Sequence, residues 1–176
     1  IAAIFAAASA TVLEAGGTIA GGHTIRNPEP IFGLAVQGVV DPKHIFRKSG
    51  AQAGDVAILS KPLGTGLVTA AGTDADKKVA IAGMRTLNRA AAEQLREHQN
   101  HVHAVTDVTG YGLAGHGWEI AERSGVTLVI NASALPLYPG ALDIAMSGHR
   151  TGGDPRNRLY VGDHLTATAD DAHVAL

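Results

Sequence analysis

Residues 101–130 read HVHAVTDVTGYGLAGHGWEIAERSGVTLVI. HVHAV alternates apolar and polar residues, the period of a half-buried strand. TDVTGYG then gathers an acid, threonines and two glycines at one point. From 112 to 124 the pattern turns helical, and Gly125 supplies the stop. VTLVI is β-branched and apolar, which suits a short buried strand. A strand, a loop, a helix and a second strand in one continuous stretch is the repeating unit of an α/β or α+β domain.

The same alternation extends outward in both directions. Residues 1–15, rich in alanine, predict a helix with Ile1, Phe5, Ala8 and Val12 on one face, stopped by Gly16 and Gly17. IFGLAVQGVV (31–40) predicts a strand, with Gly33 and Gly38 marking bulges or close backbone approach. VAILS (56–60) predicts a short buried strand after the AQAGD turn. Residues 75–98 carry Val79, Met84, Leu87, Ala91 and Leu95 at helical spacing and predict one long helix. A short helix is expected after Pro139, a glycine-rich loop at TGGDPRNRLYVG, and the start of a helix in TATADDAHVAL. The fold class is α+β: a mixed sheet packed with helices.

Composition narrows the function. Hydrophobic residues make up 45% and charged residues 17%, the balance of a globular chain. Aromatics are only 4%, so the core must come from Ala, Val, Ile and Leu. A net charge of −2 lacks the basic excess of a nucleic-acid footprint, and no nucleic acid is expected as partner. The absence of cysteine removes disulfides, thiolate metal sites and a cysteine nucleophile from this chain. The apolar start has no basic flank and is shorter than the ~20 residues that span a bilayer, so no membrane is expected either. Neither G-x-S-x-G nor H-E-x-x-H occurs, which removes support for serine hydrolases and zincins, and a Rossmann dinucleotide enzyme is not expected.

Four loops can carry chemistry. AGGHT (20–24) lets backbone N–H groups turn toward an anion, with His23 and Thr24 adding side-chain donors; an ordinary turn has the same composition. KPLGTG (61–66) has glycines and a lysine but not the order G-x-x-x-x-G-K-[ST], and Lys61 can equally be a solvated strand end. Asp107 ends a strand, where α/β proteins gather ligands. It is either the cap of the next helix or a ligand; if Thr109 caps instead, Asp107 is left for a cation such as Mg²⁺. TGGDPRNR (151–158) sets Arg156 and Arg158 beside two glycines, an anion site or a surface turn. His101 and His103 would share one strand face, with too few ligands nearby for a metal. Trp118 falls on the helix and is read as core.

Taken in order, AGGHTIRNPEPIFGLAVQGVV, SKPLGTGL, TDVTGYGLAGH and TGGDPRNR strongly resemble the selenophosphate synthetase (selenide, water dikinase) family. That family reads A-G-G-H-S-I-x-x-P-E-P-x-F-G-L-A-V-T-G, T-K-P-L-G-x-G, T-D-V-T-G-F-G-L-x-G-H and P-G-G-x-x-R-N. The likeness runs from about residue 14 to about 165, within the wider aminoimidazole ribonucleotide synthetase superfamily. It implies a fold like the C-terminal domain of that synthetase. It also implies a cytoplasmic, homodimeric enzyme that converts selenide, ATP and water to selenophosphate, AMP and phosphate with Mg²⁺. By the same resemblance Gly22, His23 and Thr24 match an ATP-binding stretch, and Asp107 matches a magnesium-binding aspartate. Thr24 replaces a serine and keeps its hydroxyl; Tyr111 replaces a phenylalanine; Arg26 stands where several members carry an acid. Lys61 matches the family lysine.

The family's N-terminal loop, with its Cys or selenocysteine and essential lysine, has no counterpart in these residues, nor do the upstream aspartates. The reading is therefore of a fragment: residues 1–40 as the end of an N-terminal ATP-binding and dimerisation domain, and 41–176 as a C-terminal α+β domain truncated at its end. Such a fragment is expected to be inactive alone, with no catalytic residue of its own. Alternatives are a piece of another superfamily member (an aminoimidazole ribonucleotide synthetase, a thiamine-monophosphate kinase or a hydrogenase maturation factor) or a non-catalytic ATP-binding or dimerisation module.

Overall fold

The computed structural model describes all 176 residues, which divide into two compact units, Ile1–His44 and Ile45–Leu176. In the first, α1 (Ala2–Glu14) occupies the predicted stretch. Ala8 and Val12 are its half-buried face, and Phe5 on the same face meets Phe32 edge-on at 6.5 Å between ring centres. The helix ends as the glycines require: Gly16 takes φ +82°, and the N–H groups of Gly16 and Gly17 return to the carbonyls of Leu13 and Val12. Beyond this turn the unit has no regular element until a 3-10 turn at Pro42–His44.

The second unit is built from α2 (Thr65–Ala71), α3 (Asp74–Arg85), α4 (Arg89–Glu97), α5 (Gly112–Ser124), α6 (Ala141–Met146), α7 (Asp154–Val161) and α8 (Asp171–Val174). α2 packs on α3 and α6, α6 on α8, and α5 on α7. The core lies between α2, α3, α6 and α8. Val68, Ala80, Tyr138 and Ala141 form one buried cluster, and Leu67, Ala145 and Ala172 another, with Ile144 and Leu176 packing against both. Small side chains let short helices approach closely, which fits a sequence poor in aromatic residues. No helix is long and apolar enough to cross a membrane.

Three helical expectations are revised. The long helix of 75–98 is two helices, α3 and α4, broken at Thr86. Thr86 leaves helical geometry at ψ +120°, its Oγ1 bonds back to the Ala82 carbonyl, and Asn88 starts the next helix. Threonine and asparagine are weak helix formers that compete for backbone groups. The glycine-rich loop at 151–162 contains α7. Pro155 at its start is suited to the first turn, and Asp154 pairs with Arg158 one turn on at 2.9 Å. His101 closes a 3-10 turn instead of opening a strand.

The mixed sheet is not seen as paired strands. The segments 31–40, 56–60, 102–105 and 126–130 run without a ladder. The strand-type pairing present is a single parallel bridge between Leu63 and Leu137, closed by Leu63 N–H to Pro136 O and Tyr138 N–H to Leu63 O, both 2.9 Å. Helices satisfy their backbone groups within themselves, whereas a strand needs a neighbour in register. Several apolar side chains of the 31–40, 56–60 and 126–130 segments face outward: Val36 is 89%, Ile58 91% and Val129 86% exposed, while Val102 and Val105 are half-buried.

Candidate functional site

The loop between the 102–105 segment and α5 is fixed from both ends. Gly112 takes φ +71°, a left-handed turn that glycine adopts without strain, and its N–H closes on the Thr109 carbonyl at 2.9 Å. α5 begins there with Tyr111 as its cap residue and no side-chain cap bond. The expectation that Thr109 caps this helix is therefore corrected. Its hydroxyl instead meets Nε2 of His116, 3.0 Å away, on the first turns of α5. On the other side, Asn157 of α7 donates its amide to the Gly110 carbonyl at 2.7 Å. The TDVTG and TGGDPRNR stretches, far apart in sequence, are thus neighbours.

His116 is the buried polar residue of the chain, 5% exposed. Its Nδ1 lies 3.2 Å from Glu119, whose carboxylate also accepts from Lys48 Nζ at 2.5 Å and from the Tyr160 hydroxyl at 3.2 Å. The lysine hydrogen bond, followed by those of His116 and Tyr160, holds the Glu119 pKa down at about 2 against its burial. Around this group the rings of Tyr111, Trp118, Tyr160 and His164 pack in a chain of tilted, edge-on and stacked pairs, 4.8–4.9 Å between centres. Trp118, read as core, is a half-buried member of that cluster. Farther along α5, Gly117 lets Leu128 approach; a Cβ there would meet Leu128 Cδ2 at 2.8 Å. Sequence reading missed Lys48, His116, Glu119 and Asn157. Only the i,i+3 spacing of His116 and Glu119 was visible, and nothing in the sequence joins Lys48 or Asn157 to them.

Asp107 is exposed, and its carboxylate accepts no hydrogen bond; the Thr106 hydroxyl bonds to its backbone carbonyl at 3.0 Å instead. It is not a helix cap. No cluster of three or more His, Asp or Glu gathers here or elsewhere in the structure. Gly22, His23 and Thr24 lie in the exposed loop of the first unit, and a Cβ on Gly22 would meet nothing within 4 Å. Lys61 donates to the Thr86 carbonyl at the end of α3, where a cation complements the helix dipole. Arg158 pairs with Asp154 and Asp171, so this arginine of the anion-site reading is committed; Arg156 is exposed. His103 bonds to Asp55 at 2.9 Å.

Residues 110–115, GYGLAG, carry the spacing G-x-G-x-x-G of a dinucleotide fingerprint at the opening of a helix. The fingerprint also needs an acid about 20 residues on. Asn131 stands there, and its side-chain oxygen is taken up by Ser133. A broad basin lined by Lys61, Asp107, Thr109 and Arg156 opens over this face. At about 2990 Å³ it exceeds the roughly 300–1,000 Å³ of ordinary ligand pockets. The unpaired 56–60 and 126–130 segments line it too. Its size reflects apolar faces with nothing laid over them.

The pattern of the family "AIR synthase related protein, C-terminal domain" matches residues 52–152, more than half of the 176. The chain belongs to this family. It is also similar to proteins named selenide, water dikinase. The one from Caldanaerobacter subterraneus subsp. tengcongensis is 43% identical over 168 residues, covering 93% of this chain and 48% of the relative. That from Paraburkholderia xenovorans is 46% identical over 162 residues, covering 89% and 45%. That from Pseudomonas straminea is 39% identical, covering 100% and 51%. The chain spans about half the length of these relatives. The family match takes in the Asp107 loop, α5 and the 126–130 segment.

Proposed function

We propose that this chain is part of a selenophosphate synthetase, an ATP-dependent enzyme that makes selenophosphate, AMP and phosphate from selenide, ATP and water. The observation that carries the reading is Asp107: an exposed carboxylate with no protein partner, on a loop held at Thr109 and Gly110, within the motif TDVTGYGLAGH. A structural cap would have its hydrogen bonds made; a ligand in waiting would not. The donor chemistry fits Mg²⁺, a hard cation that takes one or two carboxylates and completes its shell with phosphate oxygens and water. When bound, Mg²⁺ would neutralise phosphate charge. Asp107 would hold and orient it, while Gly22, His23 and Thr24 would bind ATP through backbone N–H, imidazole and hydroxyl donors. Catalysis of phosphoryl transfer rests mainly on such positioning and charge neutralisation.

On this reading residues 1–40 are the end of an N-terminal ATP-binding domain and 41–176 the C-terminal domain of a cytoplasmic homodimer. The segments 31–40, 56–60, 102–105 and 126–130 become strands of a mixed sheet when their neighbours are present. The chain by itself is inactive. In the full-length protein, selenide-dependent formation of AMP from ATP is expected, and Asp107→Asn should lower the rate about 10²-fold or more. ADP as the only nucleotide product would assign the protein to a kinase-like relative. An unchanged rate in the Asp107→Asn variant would remove the site assignment.

A further inference from the structure

We propose that His116 and Asn157 are positioning residues: from α5 and α7 they clamp the two shoulders of the Asp107 loop and fix the direction of the Thr109 hydroxyl, so that loop presents preset oxygens to a divalent cation. The inference rests on the reading of Asp107 as a metal ligand.

The contacts around Glu119 hold the His116 ring in place. Glu119 is ionised through the whole neutral range and can only accept. Three donors converge on it: the Lys48 ammonium, the Tyr160 hydroxyl and the imidazole Nδ1–H of His116. Across the ring, Nε2 meets the Thr109 hydroxyl at 3.0 Å, so the threonine is tied through His116 to the Glu119 cluster. That hydroxyl stands two residues from the free carboxylate of Asp107. The second shoulder is independent of the first. Asn157 donates to the Gly110 carbonyl and ties it to α7. The loop's flanking groups are thus hydrogen-bonded, and its one carboxylate is not. This is the relation of outer partners to ligands at metal sites, where loss of an outer partner costs about 10–100-fold in metal affinity.

The test uses the full-length protein and Mn²⁺ as probe, its binding followed by electron paramagnetic resonance with a non-hydrolysable ATP analogue. His116→Ala, Thr109→Val and Asn157→Ala should each weaken Mn²⁺ binding about 10–100-fold. Thr109→Ser, which keeps the hydroxyl, should restore it. Thr109→Val is nearly isosteric at an exposed position, so it reports even where His116→Ala does not fold. Leu67→Ala, in the core away from the loop, should lower Tm and leave Mn²⁺ binding unchanged. Wild-type Mn²⁺ affinity in Thr109→Val and Asn157→Ala, with binding lost in Asp107→Asn, overturns the clamp and leaves the Asp107 reading intact. Wild-type affinity in Asp107→Asn overturns both.

Discussion

The two faces of the second unit behave differently with similar residues. On one, Leu67 and Val68 of α2 are buried against α3, α6 and α8. On the other, Val56, Ile58 and Val129, no less apolar, stand in the open. Hydrophobicity alone does not separate them. The helical side can close locally, because each helix carries its own hydrogen bonds and needs only a neighbour for one stripe. The extended side needs backbone partners in register before its side chains can be covered.

Mutations can break that contrast or sharpen it. The largest effect is expected on the closed face. Leu67→Ala should cost about 2–5 kcal/mol in a denaturant titration, because the site is 3% exposed and small neighbours leave little to collapse into the space. Next comes overpacking. A Cβ at Gly83 would lie 1.9 Å from the Tyr138 hydroxyl, so Gly83→Ala should displace that ring at a cost of about 1–3 kcal/mol.

Glu119→Gln should cost about 1–2 kcal/mol at pH 7, since it weakens the charged hydrogen bond to Lys48. The sign with pH follows from a folded pKa held below the ordinary 4.5. The unfolded state binds this proton first, so the stabilisation is full above about 4.5 and drains away as pH falls toward about 2. A stability–pH profile in which wild type and Glu119→Gln differ equally at pH 2 and pH 7 would contradict the Lys48–Glu119–His116 arrangement.

The smallest effect belongs to the open face. Val129→Thr should change stability by no more than about 0.5 kcal/mol in this chain, the value for an exposed site. The same substitution in the full-length protein should cost more, since a covered strand would lose buried apolar surface. Equal costs in the two settings would mean that the segment stays uncovered.

Much of the helical half was legible from local patterns. Gly16, Gly125 and the residues after Pro139 set helix ends where they were expected, because a left-handed glycine or a proline acts on its own few neighbours. The break at Thr86 and the helix inside TGGDPRNRLYVG were harder. The first turns on threonine's bond to Ala82 and on Lys61, which comes from another loop; the second is a helix start that its glycines conceal. In the loop, the sequence left Asp107 undecided between cap and ligand. The structure removes the cap, because Thr109 and Gly112 make the turn without it.

By itself the sequence determined several helix ends, the family and the identity of the loop that bears Asp107, since each is written in residues close together along the chain. Only the tertiary structure decided that Lys48, His116, Glu119 and Asn157 meet around that loop, and that the apolar segments beside it stand unpaired. Both depend on partners far away in sequence, and a hydrogen bond or a strand ladder exists only when the fold brings its second half within reach.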